Sequence, residues 1–250
     1  MGGNQKMRRK RSAAVFFFAV AMLGFGASAG AVDGTIEINE AKVLANGGFP
    51  YVISNPGSYR LTGNLTVSST SADAIDVNVS HVGIDLNGFS ITGPGGSSTR
   101  AGINGSPSGN QLTVENGTIT GFLFGVFTGI DGIVKSVHAA ANGAGIDVGN
   151  GVIQGCTADG NTTVGITAGG EAEISGNTAG SNGTGITCGH GCLVSGNTID
   201  NNTSLGLSFV DATSGYSENV LNGNNSSGAS ISNGTSLGAK NTNLCNGTAC

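Results

Sequence analysis

The chain has 250 residues, including 46 Gly and 4 Pro, carries a net charge of −5 and contains no Trp. Glycine is costly inside helices and ordinary strands, so this composition argues against a helical bundle or a conventional α/β core. Disorder is also disfavoured, because disordered chains are rich in charge and poor in apolar residues, whereas 10% of these residues are charged and 38% are hydrophobic. We therefore expect a fold that turns every few residues.

The first 29 residues have the pattern of a secretory signal peptide. A basic cluster lies at 6–11, an apolar run extends from Ala13 to Gly26, and small residues occupy 27–29. This order is typical of signal peptides, and the apolar run is shorter than the roughly 20 residues of a membrane span. The sequence therefore predicts removal of residues 1–29 and a secreted or periplasmic location.

Removal of this segment leaves five basic and 15 acidic residues, a net charge of −10. Nucleic-acid affinity comes largely from Lys and Arg contacts with phosphate, so no nucleic-acid partner is expected. No apolar stretch after residue 29 reaches membrane length, so we expect no membrane span in the mature chain. The sequence leaves the oligomeric state open.

A repeat of about 20 residues runs through the chain and predicts a solenoid. A Gly-Ile dipeptide or its equivalent begins at Gly125, Gly145, Gly165, Gly185, Gly206 and Gly228. A second apolar column is expected at Leu86, Val114, Val134, Ile153, Ile174, Val194, Tyr216 and Leu237, and a third at Ile91, Ile119, Ala139, Ala158, Ala179, Ile199 and Leu221. The short alternating runs between them are of strand length. We predict an all-β, right-handed parallel β-helix of about eight coils, since such crossover connections are almost always right-handed.

The predicted organisation has four parts. Residues 1–29 form the signal peptide, 30–50 an N-terminal cap, 51–240 the parallel β-helix and 241–250 a C-terminal cap. The segment 36–46 has the pattern of a short amphipathic helix, which would cover the open edge of the first coil. The Gly-rich segment 93–100 is expected to be a loop inserted into one coil.

Asparagine recurs at two positions of the repeat. One set is Asn177, Asn197 and Asn219, preceded at the same position by Val137 and Cys156; the other is Asn142, Asn161, Asn182, Asn202 and Asn225. We expect the first set to hydrogen-bond from coil to coil as a ladder. The second set is expected to stabilise turns.

Two segments near the start of the repeat resemble a known group of proteins. The sequences PYVISNPGSYRLTGNL at 50–65 and VGIDLNGFSI at 82–91 resemble the opening of secreted bacterial right-handed parallel β-helix repeat proteins. These belong to the broad pectin-lyase-like superfamily, alongside NosD-type periplasmic proteins, and the resemblance covers about 36–250. It implies the fold; because the superfamily contains lyases, hydrolases, epimerases and non-enzymes, it leaves the activity open.

Five cysteines in an exported chain predict two disulfides and one free thiol. The expected pairs are Cys188–Cys192 and Cys245–Cys250, with Cys156 buried and free. The alternative is a zinc or copper site at Cys188, His190 and Cys192. Export favours oxidation and no fourth ligand is evident, so no metal is expected.

The residues that follow each Gly-Ile step are expected to face outward as a polar column with one aromatic ring. This column comprises Asn104, Phe127, Asp147, Thr167, Thr187, Ser208 and Ser230, with Phe122 and Phe124 close in sequence. Stacked polar side chains beside an exposed ring suit a sugar polymer. The first hypothesis is therefore a non-catalytic scaffold that binds polysaccharide or cell-surface glycan along this face and needs no cofactor.

Two alternatives stay open. One is a polysaccharide lyase or epimerase acting on uronate polymers, with Arg100, His138 and Asp147 as catalytic candidates and calcium as a possible cofactor of this alternative alone. The sequence argues against it, because no paired carboxylates on adjacent coils accompany a basic residue. The other is a structural or adhesive surface protein without a defined ligand.

Overall fold

The computed structural model describes residues 1–2, 34–96, 98–105, 111–227, 230–237 and 242–250. Contacts between Cα atoms divide the chain into Met1–Asp33 and Gly34–Cys250. Apart from Met1 and Gly2, the predicted signal peptide at 1–29 lies outside the described residues.

The second unit is a parallel β-solenoid of about nine turns. One face, sheet 3, contributes one strand to each turn. Its nine strands in the described part of the chain are Tyr51–Ile53, Ile75–Val77, Ala101–Asn104, Phe124–Thr128, Ala144–Val148, Val164–Gly170, Thr184–His190, Leu207–Phe209 and Ile231–Ser232. The predicted all-β parallel β-helix is thus confirmed, with one turn more than expected. Its right-handed sense stays a prediction.

Two further faces, sheets 1 and 2, share the long strands Leu112–Thr120 and Gly132–Ala140, which run around the corner between them. The other strands of sheet 1 are Ile36–Ile38, Gly57–Leu61, Val82–Asp85, Gly151–Gln154, Ala172–Ser175, Leu193–Ser195, Gly215–Ser217 and Thr235–Ser236. Those of sheet 2 are Leu65–Thr66, Ser90–Thr92, Thr157–Asp159, Thr178–Gly180, Thr198–Asp200, Val220–Asn222 and Leu244–Cys245. Along the chain, each turn therefore passes through sheet 3, then sheet 1 and then sheet 2.

Apolar side chains from the three sheets meet in one core along the solenoid axis. The predicted third column lies in register on sheet 2, from Ile91 to Leu221, and each of its members is fully buried. The Gly-Ile column lies in register on sheet 3, from Val126 to Leu207. Because inward-facing residues alternate along a strand, these columns form when equivalent residues of successive coils pair.

The ends of two columns differ from the prediction. Ile84, not Leu86, pairs with Val114; both side chains are buried, since residues two apart in a strand face the same way. Ser236, not Leu237, pairs with Tyr216. A shift of one residue turns a side chain to the other face, and Leu237 is accordingly 39% exposed.

A short helix and a strand cover the N-terminal end. The predicted helix at 36–46 is too long: Ile36–Ile38 is a strand of sheet 1, and the helix spans Glu40–Ala45. Asn39 caps this helix, because its Oδ1 accepts a hydrogen bond of 3.0 Å from the Lys42 N–H. Glu40 accepts a hydrogen bond of 3.0 Å from the Thr66 N–H at the first strand of sheet 2. The helix thus satisfies part of an otherwise open sheet edge.

A hairpin ends sheet 2 at the other side. Leu244–Cys245 pairs with Val220–Asn222 in parallel, and the chain then turns back as the antiparallel strand Thr248–Ala249. None of the helices in the described part of the chain is long and apolar enough to cross a membrane.

Two ladders of buried asparagine hold successive coils together at the corners. Before sheet 3 the ladder is Asn142, Asn161, Asn182, Asn202 and Asn224. Each Oδ1 accepts a hydrogen bond from the backbone N–H of the preceding coil, and each Nδ2 donates to a carbonyl of sheet 2. The last member is Asn224 and not the predicted Asn225, which is exposed and has a φ of 49°.

The second ladder lies between sheets 1 and 2 and comprises Asn177, Asn197, Asn219 and Asn243. Cys156 occupies the next position of this ladder. Its N–H donates to Asn177 Oδ1 at 2.8 Å, and its thiol lies 3.5 Å from the Val134 carbonyl oxygen, as an asparagine Nδ2 would. The ladders satisfy polar groups that would otherwise be buried without partners.

Candidate functional site

The outer face of sheet 3 carries the predicted polar column. Asn104, Phe127, Asp147, Thr167, Thr187 and Ser208 pair in register on successive strands, and all are half-buried. The next partner is Ser232, not Ser230, which is 5% exposed. The extra turn at Asn224–Ser227 lengthens this coil, so counting a constant repeat misplaces the last residue. Ala229 of the predicted Gly-Ile column lies outside the described residues, and Ile231 pairs with Leu207.

A cavity of about 250 Å³ opens at the N-terminal end of this column. Its lining comprises Asp73, Thr99, Arg100, Ala101, Asn104, Phe124 and Phe127. The predicted inserted loop contributes Thr99 and Arg100, and Asp73 lies just before the strand Ile75–Val77. Strands of the next two coils contribute the other lining residues. The cavity therefore depends on the loop that interrupts the repeat.

Two phenylalanine rings stack at this cavity. The ring centroids of Phe124 and Phe127 lie 5.3 Å apart with an angle of 28° between the planes. Residues three apart in a regular strand face opposite ways. Here Gly125 and Val126 are both buried, so the chain bends and both rings face outward. The bend requires glycine, because a Cβ at Gly125 would lie 2.5 Å from the Gly145 carbonyl oxygen.

Two neighbouring aspartates form a carboxylate pair beside the cavity, and one of them, Asp73, lines it. Asp73 is 7% exposed and accepts hydrogen bonds from the Ala101 N–H at 2.6 Å and from Asn104 Nδ2 at 3.2 Å. Asp76 pairs in register with Asn104 on sheet 3, and its Oδ1 is buried without a hydrogen-bond partner among the described residues. These carboxylates lie within one coil rather than on adjacent coils.

The environment of Asp76 moves its titration toward neutrality. Burial and the neighbouring Asp73 carboxyl group raise the pKa of Asp76 to about 6, while the Asn104 amide and the Arg100 guanidinium act in the opposite direction. Asp76 therefore changes its charge just below neutral pH. This pair of carboxylates beside Arg100 was not predicted from the sequence.

Asp147 is the second acidic group of the column. It lies beside Phe127 on the next coil, and burial raises its pKa. The ion pairs among the described residues are Arg60–Asp85 and His190–Asp211. Within that part of the chain, neither Asp76 nor Asp147 therefore has a salt-bridge partner.

The three candidates of the lyase hypothesis are not brought together. Arg100 lies at the cavity, and Asp147 lies on sheet 3 two coils further along. His138 is exposed on sheet 2, which is another face of the solenoid. A general base must lie within hydrogen-bond reach of the proton it takes, or one water away. These residues do not meet that condition as a group.

The cysteines lie in the predicted pairs. Cys188 and Cys192 are disulfide-bonded, with Cα atoms 6.5 Å apart, and so are Cys245 and Cys250, with Cα atoms 5.5 Å apart. Cys156 is free and buried. The Cys188–Cys192 disulfide uses both sulfurs that a metal site at Cys188, His190 and Cys192 would need. The His190 Nδ1 lies 2.6 Å from Asp211 Oδ2, and no group of three or more His, Cys, Asp or Glu side chains in the described residues is arranged to hold a metal ion.

The sequence pattern contained a signal for Asp76 but not for the cavity. Ile75-Asp76-Val77 has the inward, outward, inward alternation of Ile146-Asp147-Val148, so Asp76 belongs to the same outer column. Asp73 and Arg100 are 27 positions apart, yet both line the cavity, because Arg100 ends the segment inserted between one coil and the next. No residue spacing reveals that arrangement.

Comparison with known proteins finds no matching family model, curated relative or solved structure. The geometry supports a β-helix repeat protein, and the residues around the cavity carry the functional argument.

Proposed function

We propose that this chain is a secreted, non-catalytic β-helix protein that binds polysaccharide or cell-surface glycan along the outer face of sheet 3. One observation carries the proposal: the stacked Phe124–Phe127 pair lies at the cavity and in line with a column of polar side chains. Aromatic rings pack against the apolar faces of sugars, and the polar groups beside them bond hydroxyls.

The dimensions of the face suit a polymer. The column from Asn104 to Ser208 occupies six successive strands, and strands lie about 4.8 Å apart, which gives a length of about 24 Å. An extended chain that lies along the solenoid axis would meet one polar side chain per coil. The cavity would hold one end of it.

The sequence supports the finer assignments in this proposal. The segments at 50–65 and 82–91 resemble the pectin-lyase-like β-helix proteins, and the pattern of 1–29 favours secretion. The superfamily and the secretion are therefore parts of this proposal.

Removal of one ring tests the proposal. Phe127→Ala should weaken binding of an oligosaccharide that the wild type binds by about tenfold, because an aromatic contact of this kind contributes up to about 1.4 kcal/mol. Isothermal titration calorimetry against neutral, amino-sugar and uronate oligosaccharides measures the effect. Leu193→Ala is the matched control, since Leu193 is 41% exposed on sheet 1. Equal binding by both variants would place the glycan elsewhere.

The same protein preparation tests the catalytic alternative. We expect no unsaturated product when it is incubated with pectate or alginate, with or without calcium. A calcium-dependent rise in ultraviolet absorbance would replace the binding proposal with a lyase. If the protein neither binds any of these oligosaccharides nor releases an unsaturated product, a structural or adhesive protein without a defined ligand would be favoured.

A further inference from the structure

The aromatic ring of the binding face lies between acidic positions. In the register of sheet 3 the outer column runs Asp76, Asn104, Phe127 and Asp147 on consecutive strands. From Asp76 to Ser208 this column contains two carboxylates and no basic residue. Asp73 adds a third carboxylate at the cavity, and Arg100 is the one cation among the described residues that line it.

The protein compensates these carboxylates only in part, through the Asn104 amide and the Arg100 guanidinium, which act to lower the pKa of Asp76. Asp76 Oδ1 is buried without a partner in the described residues, and neither Asp76 nor Asp147 has a salt bridge there. Burial raises the pKa of both groups, which means that their ionised forms are poorly solvated. A bound cation would offset this cost through charge-assisted hydrogen bonds.

The ring favours the same kind of ligand. A cation over the face of a phenylalanine ring is attracted by the ring's electron density. Phe127 and Asp147 are register partners on adjacent strands, so a single charged group can lie near both. A uronate polymer would instead place like charges beside Asp147, and the net charge of −10 predicted for the chain after residue 29 would oppose its approach.

We infer that the glycan bound by this face carries protonated amino groups, as in a polymer of hexosamine units whose nitrogens are not acetylated. The inference rests on the proposed function and names the substrate class of that same site. Asp147 and the ring of Phe127 bind an ammonium group, and the Asp73–Asp76 pair with Asn104 binds the polymer at the cavity.

The test compares hexamers of equal length at about pH 6.5, where Asp76 is largely ionised. The probes are the hexamers of glucosamine, N-acetylglucosamine and galacturonate, with affinities measured by isothermal titration calorimetry. We expect glucosamine hexamer to bind about tenfold more tightly than the acetylated form, and its affinity to fall as salt rises. Galacturonate hexamer should bind most weakly.

A charge-neutralising variant assigns the preference to this face. Asp147→Asn should reduce the ratio of the glucosamine and N-acetylglucosamine affinities from about tenfold to about one. Asp159→Asn is the matched control: Asp159 is exposed on sheet 2, and the ratio should stay as in the wild type. Thermal melting of both variants establishes that each is folded.

The outcomes separate the two proposals. If the acetylated hexamer binds as tightly as the amino form, or Asp147→Asn keeps the preference, the amino-glycan inference is wrong, whereas a loss of binding in Phe127→Ala still supports glycan binding. A lysine hexamer that binds as tightly as the glucosamine hexamer would also overturn the inference, because charge alone would then suffice. If no saccharide binds, both proposals are wrong.

Discussion

Buried polar side chains have different partners in two parts of the solenoid, the regular coils between 132 and 222 and the earlier coils between 51 and 127. In the regular coils most buried polar side chains are asparagine amides whose partners are the same amides one coil away. Near the start of the solenoid the buried polar group at sheet 3 is the carboxylate of Asp73, with Asp76 beside it. Repetition gives each ladder amide a hydrogen-bond partner, whereas in the interrupted coil Asp76 Oδ1 has no partner among the residues that the structure describes.

The difference indicates where stability and function lie. A ladder of identical residues gives each member the same environment, so it stabilises the fold and offers nothing to a ligand. The inserted loop breaks that equivalence, and Arg100 at its end lines the cavity together with Asp73. Loops on a rigid scaffold are common locations for binding residues.

Breaking a ladder in the regular coils should have the largest effect. Asn182 Oδ1 accepts from the Asn161 N–H and Nδ2 at 2.9 Å each, and its Nδ2 donates to the Ala158 carbonyl at 3.0 Å. Asn182→Ala leaves these buried groups unpaired and should lower the free energy of unfolding by about 3 kcal/mol or more. Chemical denaturation monitored by circular dichroism measures it.

The control for this prediction is an asparagine outside the ladders. Asn222 is exposed at the end of a sheet 2 strand, and Asn222→Ala should change stability by about 0.5 kcal/mol or less. Equal losses in the two variants would contradict the role assigned to the ladder.

Near the start of the solenoid, in contrast, removal of a buried polar group should increase the free energy of unfolding. Burial raises the pKa of Asp76 from 3.8 to about 6, so the folded state keeps a proton that the unfolded state releases. The free energy of unfolding therefore falls as pH rises from about 4 to about 6. Asp76→Asn removes this loss and should stabilise the protein at about pH 7 by about 1 kcal/mol, less than the full shift implies because Asp76 is only half-buried.

Urea unfolding at about pH 4 and pH 7 measures this difference. The gain from Asp76→Asn should be small at the lower pH, where Asp76 is protonated in the folded state and still about half protonated in the unfolded state. Asp159→Asn should have no comparable pH dependence. A stability change in Asp76→Asn that is the same at both pH values would mean that its charge is not the cause.

The smallest effect concerns Cys156, where the second ladder meets the earlier coils. Burial raises the pKa of this thiol to about 11, and the thiolate is the reactive form. Unreduced protein should therefore show no rapidly reacting thiol when native and one when denatured, in an assay with an aromatic disulfide reagent. Three or more thiols in denaturant would contradict the pairs Cys188–Cys192 and Cys245–Cys250.

The regular part of the fold follows from the sequence because each coil has nearly the same length. The column from Ile119 to Leu221 and the asparagines from Asn142 to Asn202 are placed correctly by simple counting. Counting fails where residues are inserted, as around the extra turn at Asn224–Ser227. There Ser232, rather than the predicted Ser230, occupies the outer column, and Asn224, rather than Asn225, occupies the ladder.

Only part of the candidate site could be predicted from the sequence in the same way. The outer column with Phe127 and Asp147 follows from the alternation of inward and outward residues. The cavity does not, because Asp73, Arg100 and Phe124 come from different coils and a loop with no counterpart in the repeat. Its chemistry depends on the burial of Asp76, which only the packed structure reveals.

Amide chemical-shift mapping tests the central claim most directly. Titration of ¹⁵N-labelled protein with the glucosamine hexamer should give the largest shifts at Asn104, Phe124, Phe127 and Asp147, with smaller shifts at the Thr167 and Thr187 positions of the same face. Largest shifts on sheet 1 or sheet 2, for example at Glu173 or Thr198, or no shifts with any of the three hexamers, would contradict the account.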